Sequence, residues 1–438
     1  MRAHRALWPG IVAAVMAAAG LALWILAGAR AQPSEQWIGT WYAAPTARVD
    51  QAPSSTGASG QSLLHFKDQT LRQIAHVTLG GPRLRVVVTN AFGTAPLRVG
   101  AASVALRDHG TAIVPGSARA LTFAGGKGLV APPGATATSD PVDLAVADAA
   151  DLAIDLYLPD DTSAMQSPIT THPASWQTGY VSPPGNHAGA PMMPVQATTR
   201  YRRADGLESA TWFFLTRVDV ARPPDAAAIV TLGDSITDGT ASTIDTNNRW
   251  PDHLARRLAR AGVRMTVLNA GIGGNRVLAE GNGPSALSRF DRDVLSQPGV
   301  RFVIVLEGIN DIGQARTNPS PSAADLIAAH TQLIDRAHAR GLRIYGATLT
   351  PFEGANYWTP EGEAKRQQLN AWIRDGKAYD AVLDFDAAVR DADHPAKTQA
   401  RYDPGDHLHL NAAGYQAVAE TIDLTLFRAA AIGPGPQR

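Results

Sequence analysis

The hydrophobic pattern of the chain changes at residues 221–225, and this change limits the folds that the chain can adopt. From Trp37 to about Val220, short alternating or β-branched runs recur between glycine, proline, asparagine and aspartate residues, a pattern typical of strands. After residue 225, apolar runs of strand length alternate with runs of helical periodicity. Because 438 residues can form two cored domains, we expect a β-rich accessory domain at 36–220 and an α/β domain at 226–428.

The first part contains several predicted strands and no convincing helix. Residues 71–79 and 84–88 flank a Gly-Gly-Pro turn and are predicted to form a β-hairpin. Further strands are predicted at residues 97–106, 152–158 and 210–218. This content favours a β-sandwich or a jelly roll.

The second part alternates predicted strands with predicted helices. The strands are expected at 226–232, 265–268, 302–306, 344–349 and 382–385. The helices are expected through Trp250, Leu254 and Leu258, and at 285–295, 323–339, 361–374 and 412–427. Such alternation predicts a parallel sheet covered by helices on both faces, and ligands of such sheets bind at the carboxyl ends of the strands.

Glycine-rich and polar segments follow three of the predicted strands. They are residues 233–239 (GDSITDG), 269–275 (NAGIGGN) and 308–311 (GIND). A fourth polar segment, residues 406–411 (DHLHLN), precedes the last predicted helix. Because parallel strands end at a common edge of the sheet, we expect the first three segments to lie together.

These segments contain the residue types that a serine hydrolase requires. Ser235 is the candidate nucleophile, because it lies in a tight turn directly after a buried strand. His409 is the candidate base, and Asp406 is the candidate acid that orients it, because side chains three residues apart can share a face. The backbone N–H groups of Ser235 and Gly274 and the side-chain amide of Asn310 are the candidate donors to an oxyanion.

Each segment also has an interpretation without catalysis. Ser235 could belong to a capped turn, and Asp406 could cap the last helix. Residues 271–274 could form a close-packing turn, and because they lack the G-x-G-x-x-G spacing we predict no dinucleotide cofactor. Asn310 could simply cap a strand end. The joint order of the segments favours catalysis.

A second histidine and several further acidic residues need separate treatment. His407 is adjacent to Asp406, but adjacent side chains in a loop often point apart, so His409 is the predicted base. Other acidic residues are predicted to be caps or turn residues rather than metal ligands, namely Asp238, Asp311, Asp384 and Asp386. The sequence contains no His and carboxylate cluster with metal spacing, so no metal or other cofactor is predicted.

The four segments together resemble the GDSL or SGNH hydrolases, which are named for Ser, Gly, Asn and His in four sequence blocks. The resemblance covers residues 226–427. It implies a flavodoxin-like three-layer fold with Ser235 as nucleophile, His409 as base, Asp406 as orienting acid, and Ser235, Gly274 and Asn310 as oxyanion donors. One departure is Leu410, where relatives often carry proline, and we expect it to have little consequence.

Three further runs resemble a secreted subgroup of these hydrolases, namely residues 248–251 (NRWP), 285–293 (SALSRFDRD) and 348–352 (TLTPF). Members of the subgroup are labelled as acylhydrolases, arylesterases or xylan esterases. The β-rich region also resembles the companion domain of this subgroup. The resemblance therefore implies a carboxylic ester hydrolase.

The N-terminus has the features of a signal peptide. Arg2 and Arg5 precede a long apolar stretch that ends in Ala-Arg-Ala at residues 29–31, so we expect residues 1–31 to be cleaved and the protein to be secreted or periplasmic. An uncleaved anchor at residues 6–29, with the rest of the chain outside the cytoplasm, is the alternative. Residues 429–438 are expected to form a flexible tail.

Composition narrows the set of partners. Lys+Arg and Asp+Glu are both 39, so the net charge favours neither nucleic acid nor an anionic surface. Cysteine is absent, which excludes disulfides, thiolate metal sites and a cysteine nucleophile. After the N-terminal stretch, no segment is apolar enough to cross a membrane.

The sequence thus predicts a secreted ester hydrolase that acts on a small-molecule or glycan ester and releases short acyl groups, such as acetyl from carbohydrate. A lipase, lysophospholipase or arylesterase with the same triad is one alternative. A non-catalytic glycan-binding protein is another, and its candidate binding aromatics are Trp37, Trp41, Tyr42 and Trp176. Core packing is the competing explanation for these aromatics. The sequence leaves open the oligomeric state and the role of the β-rich region.

Overall fold

The part of the chain before residue 222 is built from strands. The computed structural model describes residues 35–48, 65–203, 206–223, 225–314 and 320–428. In chain order the strands of this part are β1 (Trp37–Tyr42), β2 (Thr46–Arg48), β3 (Gln69–His76), β4 (Gly81–Thr89), β5 (Leu97–Val99), β6 (Ala101–Leu106), β7 (Arg119–Leu121), β8 (Leu129–Ala131), β9 (Thr136–Thr138), β10 (Val142–Val146), β11 (Asp151–Leu158), β12 (Ile169–Pro173), β13 (Tyr180–Pro184), β14 (Ala197–Thr198), β15 (Tyr201–Arg202), β16 (Glu208–Ser209), β17 (Thr211–Phe213) and β18 (Leu215–Ala221).

Two larger antiparallel sheets dominate this part. One has the order β1-β18-β4-β10, with β9 also paired to β4, and the other has the order β14-β13-β3-β11-β6-β7. A smaller sheet has the order β17-β12-β2. Leu71 and Leu156 of the second sheet lie in the same hydrophobic core as Val86 and Val218 of the first, as in a β-sandwich. The β-rich architecture predicted for this part is confirmed.

The predicted hairpin is wrong, because β3 and β4 belong to different sheets. Between them the chain crosses the sandwich, where the N–H of Val77 donates to the carbonyl of Ala150 at 2.9 Å and the N–H of Leu79 donates to the hydroxyl of Thr40 at 2.9 Å. Two apolar runs around a glycine-rich turn fit a hairpin and a sheet-to-sheet crossing equally well. The crossing forms here because β3 pairs with β11 and β4 pairs with β18, and both partner strands are distant in sequence.

Strands and helices alternate after residue 225. The strands are β19 (Ala227–Gly233), β20 (Met265–Gly271), β21 (Val300–Leu306), β22 (Arg343–Ala347) and β23 (Ala381–Leu383). The α-helices are α1 (Ser235–Asp238), α2 (Trp250–Arg260), α3 (Ala286–Phe290), α4 (Ile309–Gly313), α5 (Ala323–His338), α6 (Pro360–Asp375), α7 (Phe385–Val389) and α8 (Ala412–Glu420). A π-helical turn, Asp291–Leu295, continues α3, and a 3₁₀ turn, Leu424–Phe427, follows α8.

The five strands form one parallel sheet in the order β20-β19-β21-β22-β23. Counted within this sheet, the order is 2-1-3-4-5, which is the flavodoxin-like order. Helices α2, α7 and α8 pack together, and so do α3, α5 and α6, which gives the sheet its two helical layers. The predicted three-layer α/β fold is confirmed. Ligands of this fold bind at the carboxyl ends of the first and third strands, here β19 and β21.

The last helix is shorter than predicted. It ends at Glu420, and the carboxylate of Asp423 accepts the N–H of Thr425 to begin the separate 3₁₀ turn. Val418 and Phe427 are both buried, so the apolar periodicity continues across the break and conceals it in the sequence.

The β-rich part and the α/β part pack directly against each other. Strand β1 lies beside β20, and Gly39 of β1 packs against the side chain of Leu268 in β20. The N–H of Gly39 also donates to the carbonyl of Pro298, just before β21, at 3.1 Å. From Trp37 onward the chain forms one compact unit. The boundaries that we predicted at 220 and 226 therefore separate two sheet types that share a hydrophobic core.

The predicted signal segment at residues 1–31 and the predicted tail at 429–438 lie outside the described residues. Within the described ranges, no helix has both the length and the apolar character needed to cross a bilayer.

Candidate active site

Ser235 is the first residue of α1, immediately beyond the end of β19. The preceding Asp234 is the N-cap, and its carboxylate accepts the N–H of Ile236 at 2.8 Å. Gly239 ends this single turn with a φ of 96°, a conformation that favours glycine. The short helix thus holds Ser235 at the edge of the sheet, with the residue 7% exposed.

The loop before α8 brings an imidazole to Ser235. The Nε2 atom of His409 lies 2.8 Å from the Oγ of Ser235, and its Nδ1 atom lies 2.5 Å from a carboxylate oxygen of Asp406. The other oxygen of Asp406 accepts the backbone N–H groups of Leu408 and His409, each at 3.0 Å. Because a carboxylate only accepts, Nδ1 carries a proton and neutral His409 can accept the serine proton at Nε2.

The same contacts keep Asp406 ionised. Burial by itself would raise the pKa of Asp406, but the hydrogen bond and the charge of His409, together with two backbone N–H groups, lower that pKa well below its usual range. A permanent carboxylate beside Nδ1 stabilises the imidazolium that forms when the serine is deprotonated.

His407 has a different partner. Its Nδ1 atom lies 2.5 Å from a carboxylate oxygen of Asp403, and its side chain is 52% exposed, whereas the side chain of His409 is 11% exposed. His407 also has a φ of 59°, so the backbone turns between the two histidines and directs their side chains apart. The structure brings His409 and not His407 to Ser235.

The predicted oxyanion donors lie on segments that follow the neighbouring strands. Gly274 has a φ of 72°, and a Cβ at this position would collide with the side chain of Asn282. Asn310 lies in the first turn of α4, where its Nδ2 donates to the carbonyl of Asn275 at 3.0 Å. An amide nitrogen carries two protons, so Asn310 retains a second N–H for a ligand. The hydroxyl of Tyr357 donates to the amide oxygen of Asn310 at 3.4 Å.

Arg289 connects the backbone beneath these segments, a role that sequence reasoning missed. It lies in α3, and its side chain is fully buried. Its guanidinium donates to Ala270 O at 2.6 Å, Asn275 Oδ1 at 2.9 Å, Gly233 O at 3.0 Å, Asp293 Oδ2 at 3.0 Å and Glu307 Oε1 at 3.5 Å. The i, i+4 spacing of Arg289 and Asp293 in the sequence is the one feature that could have indicated a pair here. One side chain thus ties together the ends of β19 and β20 and the loop that contains Gly274.

Three buried carboxyl groups, those of Asp234, Glu307 and Asp311, interact with one another, and the first two also interact with Arg289. Burial, together with the charges of Asp311 and Asp238, raises the pKa of Asp234 to about 7. Burial also raises the pKa of Glu307 well above its usual value, with the charge of Asp234 adding to the effect. Burial likewise raises the pKa of Asp311, although the N–H groups of Leu278 and Val277 oppose this. One guanidinium cannot neutralise several carboxylates. Burying these carboxyl groups in their protonated form therefore costs less free energy than burying them charged.

The other acidic residues have structural partners. Asp311 accepts the N–H groups of Val277 and Leu278, Asp384 is the N-cap of α7, and Asp386 lies 2.7 Å from the guanidinium of Arg366. Over the described part of the chain, no group of three or more His, Asp or Glu side chains is placed to hold a metal ion.

The aromatic residues proposed for glycan binding are largely internal. Trp41, Tyr42 and Trp176 are each at most 6% exposed, and Trp41 packs edge-on against Trp212 at a centroid distance of 4.9 Å. The guanidinium of Arg85 lies 4.6 Å from the ring centre of Trp37. The three buried rings therefore offer no free face that could stack on a sugar, and Arg85 covers one face of Trp37.

A model of the GDSL-like lipase/acylhydrolase family matches residues 231–417. This part of the chain belongs to that family. The GDSL domain contains Ser235, Gly274, Asn310, Asp406 and His409, and the family confirms the predicted class of activity, carboxylic ester hydrolysis.

Solved structures also resemble the GDSL domain. A GDSL-like lipase from Bacteroides thetaiotaomicron VPI-5482 is 17% identical, with 44% of this chain and 84% of that chain covered and a TM-score of 0.35. An acetyl xylan esterase is 20% identical, with 44% and 96% covered and a TM-score of 0.35. A mutant of an acetyl-xylooligosaccharide esterase from Geobacillus Stearmophilus is 20% identical, with 44% and 91% covered and a TM-score of 0.35. Among curated proteins, none matches this chain.

Proposed function

We propose that the protein hydrolyses carboxylic esters through an acyl intermediate on Ser235, with His409 as the base and Asp406 as the acid that orients it. The observation that carries this proposal is the continuous chain of contacts from Asp406 through His409 to the Oγ of Ser235. It supplies a nucleophile, a base of the required tautomer and a permanent negative charge behind the base.

The reaction proceeds in two halves. As the Oγ of Ser235 bonds to the ester carbonyl carbon, its proton moves to Nε2 of His409, and the carbonyl oxygen becomes an oxyanion. Collapse of this tetrahedral species breaks the bond to the alcohol, which leaves with the proton from His409. Water then attacks the acyl-serine with His409 again accepting a proton, and the carboxylic acid and free Ser235 are released.

The oxyanion donors in this proposal are the backbone N–H groups of Ser235 and Gly274 and the amide of Asn310. The N–H of Ser235 lies at the first position of α1, where no intrahelical acceptor exists. Asn310 is held by Asn275 on one side and by Tyr357 on the other, so its remaining N–H keeps a fixed direction. Donors fixed before the substrate arrives stabilise the transition state without reorganisation.

We further propose that the substrate is a short acyl ester of a polar alcohol. Two side chains beside the proposed oxyanion donors are polar: the amide of Asn282 lies against Gly274, and the phenol of Tyr357 contacts Asn310. Such groups can hydrogen-bond to the hydroxyls of a carbohydrate, whereas a long acyl chain needs apolar walls. An acetylated glycan fits this description.

The decisive experiment compares wild type, Ser235→Ala and Ser242→Ala on p-nitrophenyl acetate. Ser242 is a buried serine on the segment that follows α1, so its variant controls for loss of a nearby hydroxyl. We expect Ser235→Ala to lose turnover with an unchanged circular dichroism spectrum, and Ser242→Ala to retain it. Turnover by purified Ser235→Ala would contradict the proposal.

The acyl group is tested separately with p-nitrophenyl esters from acetate to palmitate and with acetylated xylo-oligosaccharides. We expect kcat/KM to be highest for acetate and to fall with chain length. A maximum at the long-chain esters would identify a lipase instead, and activity confined to aryl esters would identify an arylesterase.

We also propose that the protein is exported. Two arginines, a long apolar stretch and the Ala-Arg-Ala sequence at residues 29–31 support cleavage near Gln32. N-terminal sequencing of the protein recovered from the medium or the periplasm tests this proposal, and an intact N-terminus in the membrane fraction would indicate an anchor.

A further inference from the structure

A short segment of the β-rich part, residues 172–178, lies against the nucleophile loop. Nε2 of His172 lies 3.0 Å from the carboxylate of Asp238, the last residue of α1. Further along, the carbonyl of Ser175 accepts a hydrogen bond from the guanidinium of Arg249, and the N–H and hydroxyl of Thr178 both donate to Asp245 at 2.6 Å. The partners in these contacts, Asp238, Asp245 and Arg249, all lie on the segment that follows Ser235 in the chain.

The contact of His172 with Asp238 reaches the proposed oxyanion donors. One oxygen of Asp238 meets His172, and the other accepts the N–H of Gly273 at 3.1 Å. Gly273 directly precedes Gly274, whose N–H is a proposed donor. Asp238 is therefore the link between His172 and the loop that carries Gly274.

Both partners of His172 are acceptors. Its Nδ1 atom lies 2.8 Å from the carbonyl oxygen of Ala44, and its Nε2 atom lies 3.0 Å from the carboxylate of Asp238, so each ring nitrogen that carries a proton has an acceptor. The two side chains are 4% and 3% exposed. The β-rich part thus supplies a hydrogen-bond donor for a buried carboxylate in the GDSL domain.

The imidazole is itself held rigidly. The ring of Trp212 lies 5.6 Å from the ring of His172, with 36° between their planes. Trp212 in turn donates its indole N–H to the carbonyl of Ile74 at 3.0 Å. Since the sandwich fixes Trp212 and Ala44, the direction of the His172 Nε2–H bond is fixed by the β-rich part.

We propose that His172 is a positioning residue: through Asp238 it fixes Gly273 and so directs the N–H of Gly274 toward the oxyanion. This inference rests on the proposed esterase function of Ser235. It assigns the β-rich part a role in catalysis, because among the described residues of the α/β part none is hydrogen-bonded to the oxygen of Asp238 that meets His172. A buried ion pair often adds little to stability, whereas it can select one geometry of a loop.

Two substitutions separate the two hydrogen bonds of His172. In His172→Gln the amide nitrogen takes the place of Nε2 and can still donate to Asp238, whereas in His172→Asn it takes the place of Nδ1 and can reach only Ala44. We expect His172→Asn to lower kcat for p-nitrophenyl acetate by about tenfold to a hundredfold, less than the loss of a whole oxyanion donor, about 10²–10³. We expect KM to stay within about twofold, and His172→Gln to recover most of kcat.

Thr78→Val is the matched control. The hydroxyl of Thr78 also forms a hydrogen bond between the two parts, because it accepts the N–H of Val267 at 3.2 Å. Val267 lies in the first half of β20, away from the active-site edge. We expect this variant to retain kcat. Equal losses of kcat in His172→Asn, His172→Gln and Thr78→Val would show a general packing effect, and unchanged kcat in both His172 variants would also overturn the inference.

Hydrogen exchange of the loop tests the inference without any substrate. By mass spectrometry, a peptide that covers residues 271–277 should exchange faster in His172→Asn than in wild type and in Thr78→Val, because Gly273 loses its fixed acceptor. Unchanged exchange would overturn the inference even if kcat falls. If wild type fails to hydrolyse the ester, or if Ser235→Ala retains turnover, the proposed function fails, and the exchange measurement still decides whether His172 holds the loop.

Discussion

The Nε2 atom of His409 lies 2.8 Å from the Oγ of Ser235, although the two residues are 174 positions apart in the chain. Ser235 follows the first strand of the parallel sheet, and His409 precedes its last α-helix. The packing of α8 against α2 brings the loop that carries His409 back to the edge where β19 ends. The contact joins two of the segments that the sequence marks as catalytic.

The two histidines of this loop should differ sharply in their importance. We expect His409→Ala to lower kcat for p-nitrophenyl acetate on the order of 10⁴–10⁶-fold, because among the described residues His409 is the base that contacts Ser235. His407→Ala should leave kcat close to that of wild type, because His407 contacts Asp403 at the surface. Steady-state kinetics of both purified variants checks this, and the reverse order would show that His407 is the base.

The carboxylate of Asp406 should be important because it determines which ring nitrogen of His409 carries the proton. In Asp406→Asn the amide can donate to Nδ1 of His409, which then places the imidazole proton on Nε2 and blocks transfer from Ser235. We expect kcat to fall by about 10³–10⁴-fold. Asp403→Asn makes the same chemical change beside His407 and serves as the control. Comparable losses in the two variants would contradict the assignment of Asp406.

The amide of Asn310 should stabilise the transition state more than it stabilises the bound substrate. We expect Asn310→Ala to lower kcat by about 10²–10³-fold with little change in KM. Tyr357→Phe removes only the 3.4 Å hydrogen bond to the amide oxygen, so its effect should be small. Affinity for a trifluoromethyl ketone, which binds as a tetrahedral oxyanion, should fall with kcat in Asn310→Ala. A change in KM alone would place Asn310 in substrate binding instead.

Buried Asp234 should make stability depend on pH. Its pKa is raised from 3.8 to about 7, so the folded state holds a proton that the unfolded state loses across this interval. The contribution of Asp234 to the free energy of unfolding is therefore greatest at the acidic end and declines as the pH rises toward 7. Asp406 has a lowered pKa and acts in the opposite direction, as the pH falls below its unfolded value of 3.8.

Asp234→Asn tests this dependence, because asparagine keeps the oxygen that accepts the N–H of Ile236. Urea unfolding between pH 4 and pH 8 should show a shallower decline for the variant than for wild type. Glu307 and Asp311 also have raised pKa values, so part of the decline should remain. Identical slopes for the two proteins would show that Asp234 is ionised throughout.

Arg289 should be among the most sensitive positions for stability. Arg289→Met leaves the buried carboxyl groups of Asp293 and Glu307 with less positive charge and frees three backbone or amide oxygens, so we expect a loss of about 3–5 kcal/mol in the free energy of unfolding. Arg200→Ala removes an exposed pair with Glu208 and should cost at most about 1 kcal/mol. Urea midpoints compare the two variants, and similar midpoints would contradict the role of Arg289.

Most of the α/β part could be predicted from sequence. The runs that became β19 and β21 are mostly apolar, as expected for strands covered on both faces, and each ends at a glycine-rich or polar segment. Ser235 and Asn310 could be placed at one edge for this reason. The hairpin of β3 and β4 could not be judged in the same way, because strand pairing depends on the partners β11 and β18.

The roles of His172 and Arg289 also could not be predicted from the sequence, because they depend on partners that are distant in the chain. His172 is a single histidine in a strand of the β-rich part, and nothing near it in sequence identifies Asp238 as its partner. Arg289 lies within a helical pattern as a charged residue, and only the packed structure shows that its face is buried. A buried polar side chain is defined by the groups that surround it, and these come from several distant segments.

The sequence by itself determined the candidate residues for the proposed chemistry, because each belongs to a local pattern. These patterns are a serine after a strand, the segments that contain Gly274 and Asn310, and an Asp-x-x-His pair. It also determined the two sheet types, because hydrophobic periodicity reflects whether one or both faces of a strand are covered. Only the tertiary structure decided which histidine meets Ser235, which strands pair, and that the β-rich part reaches the GDSL segment through His172. These outcomes depend on distances between segments that the order of residues along a chain does not contain.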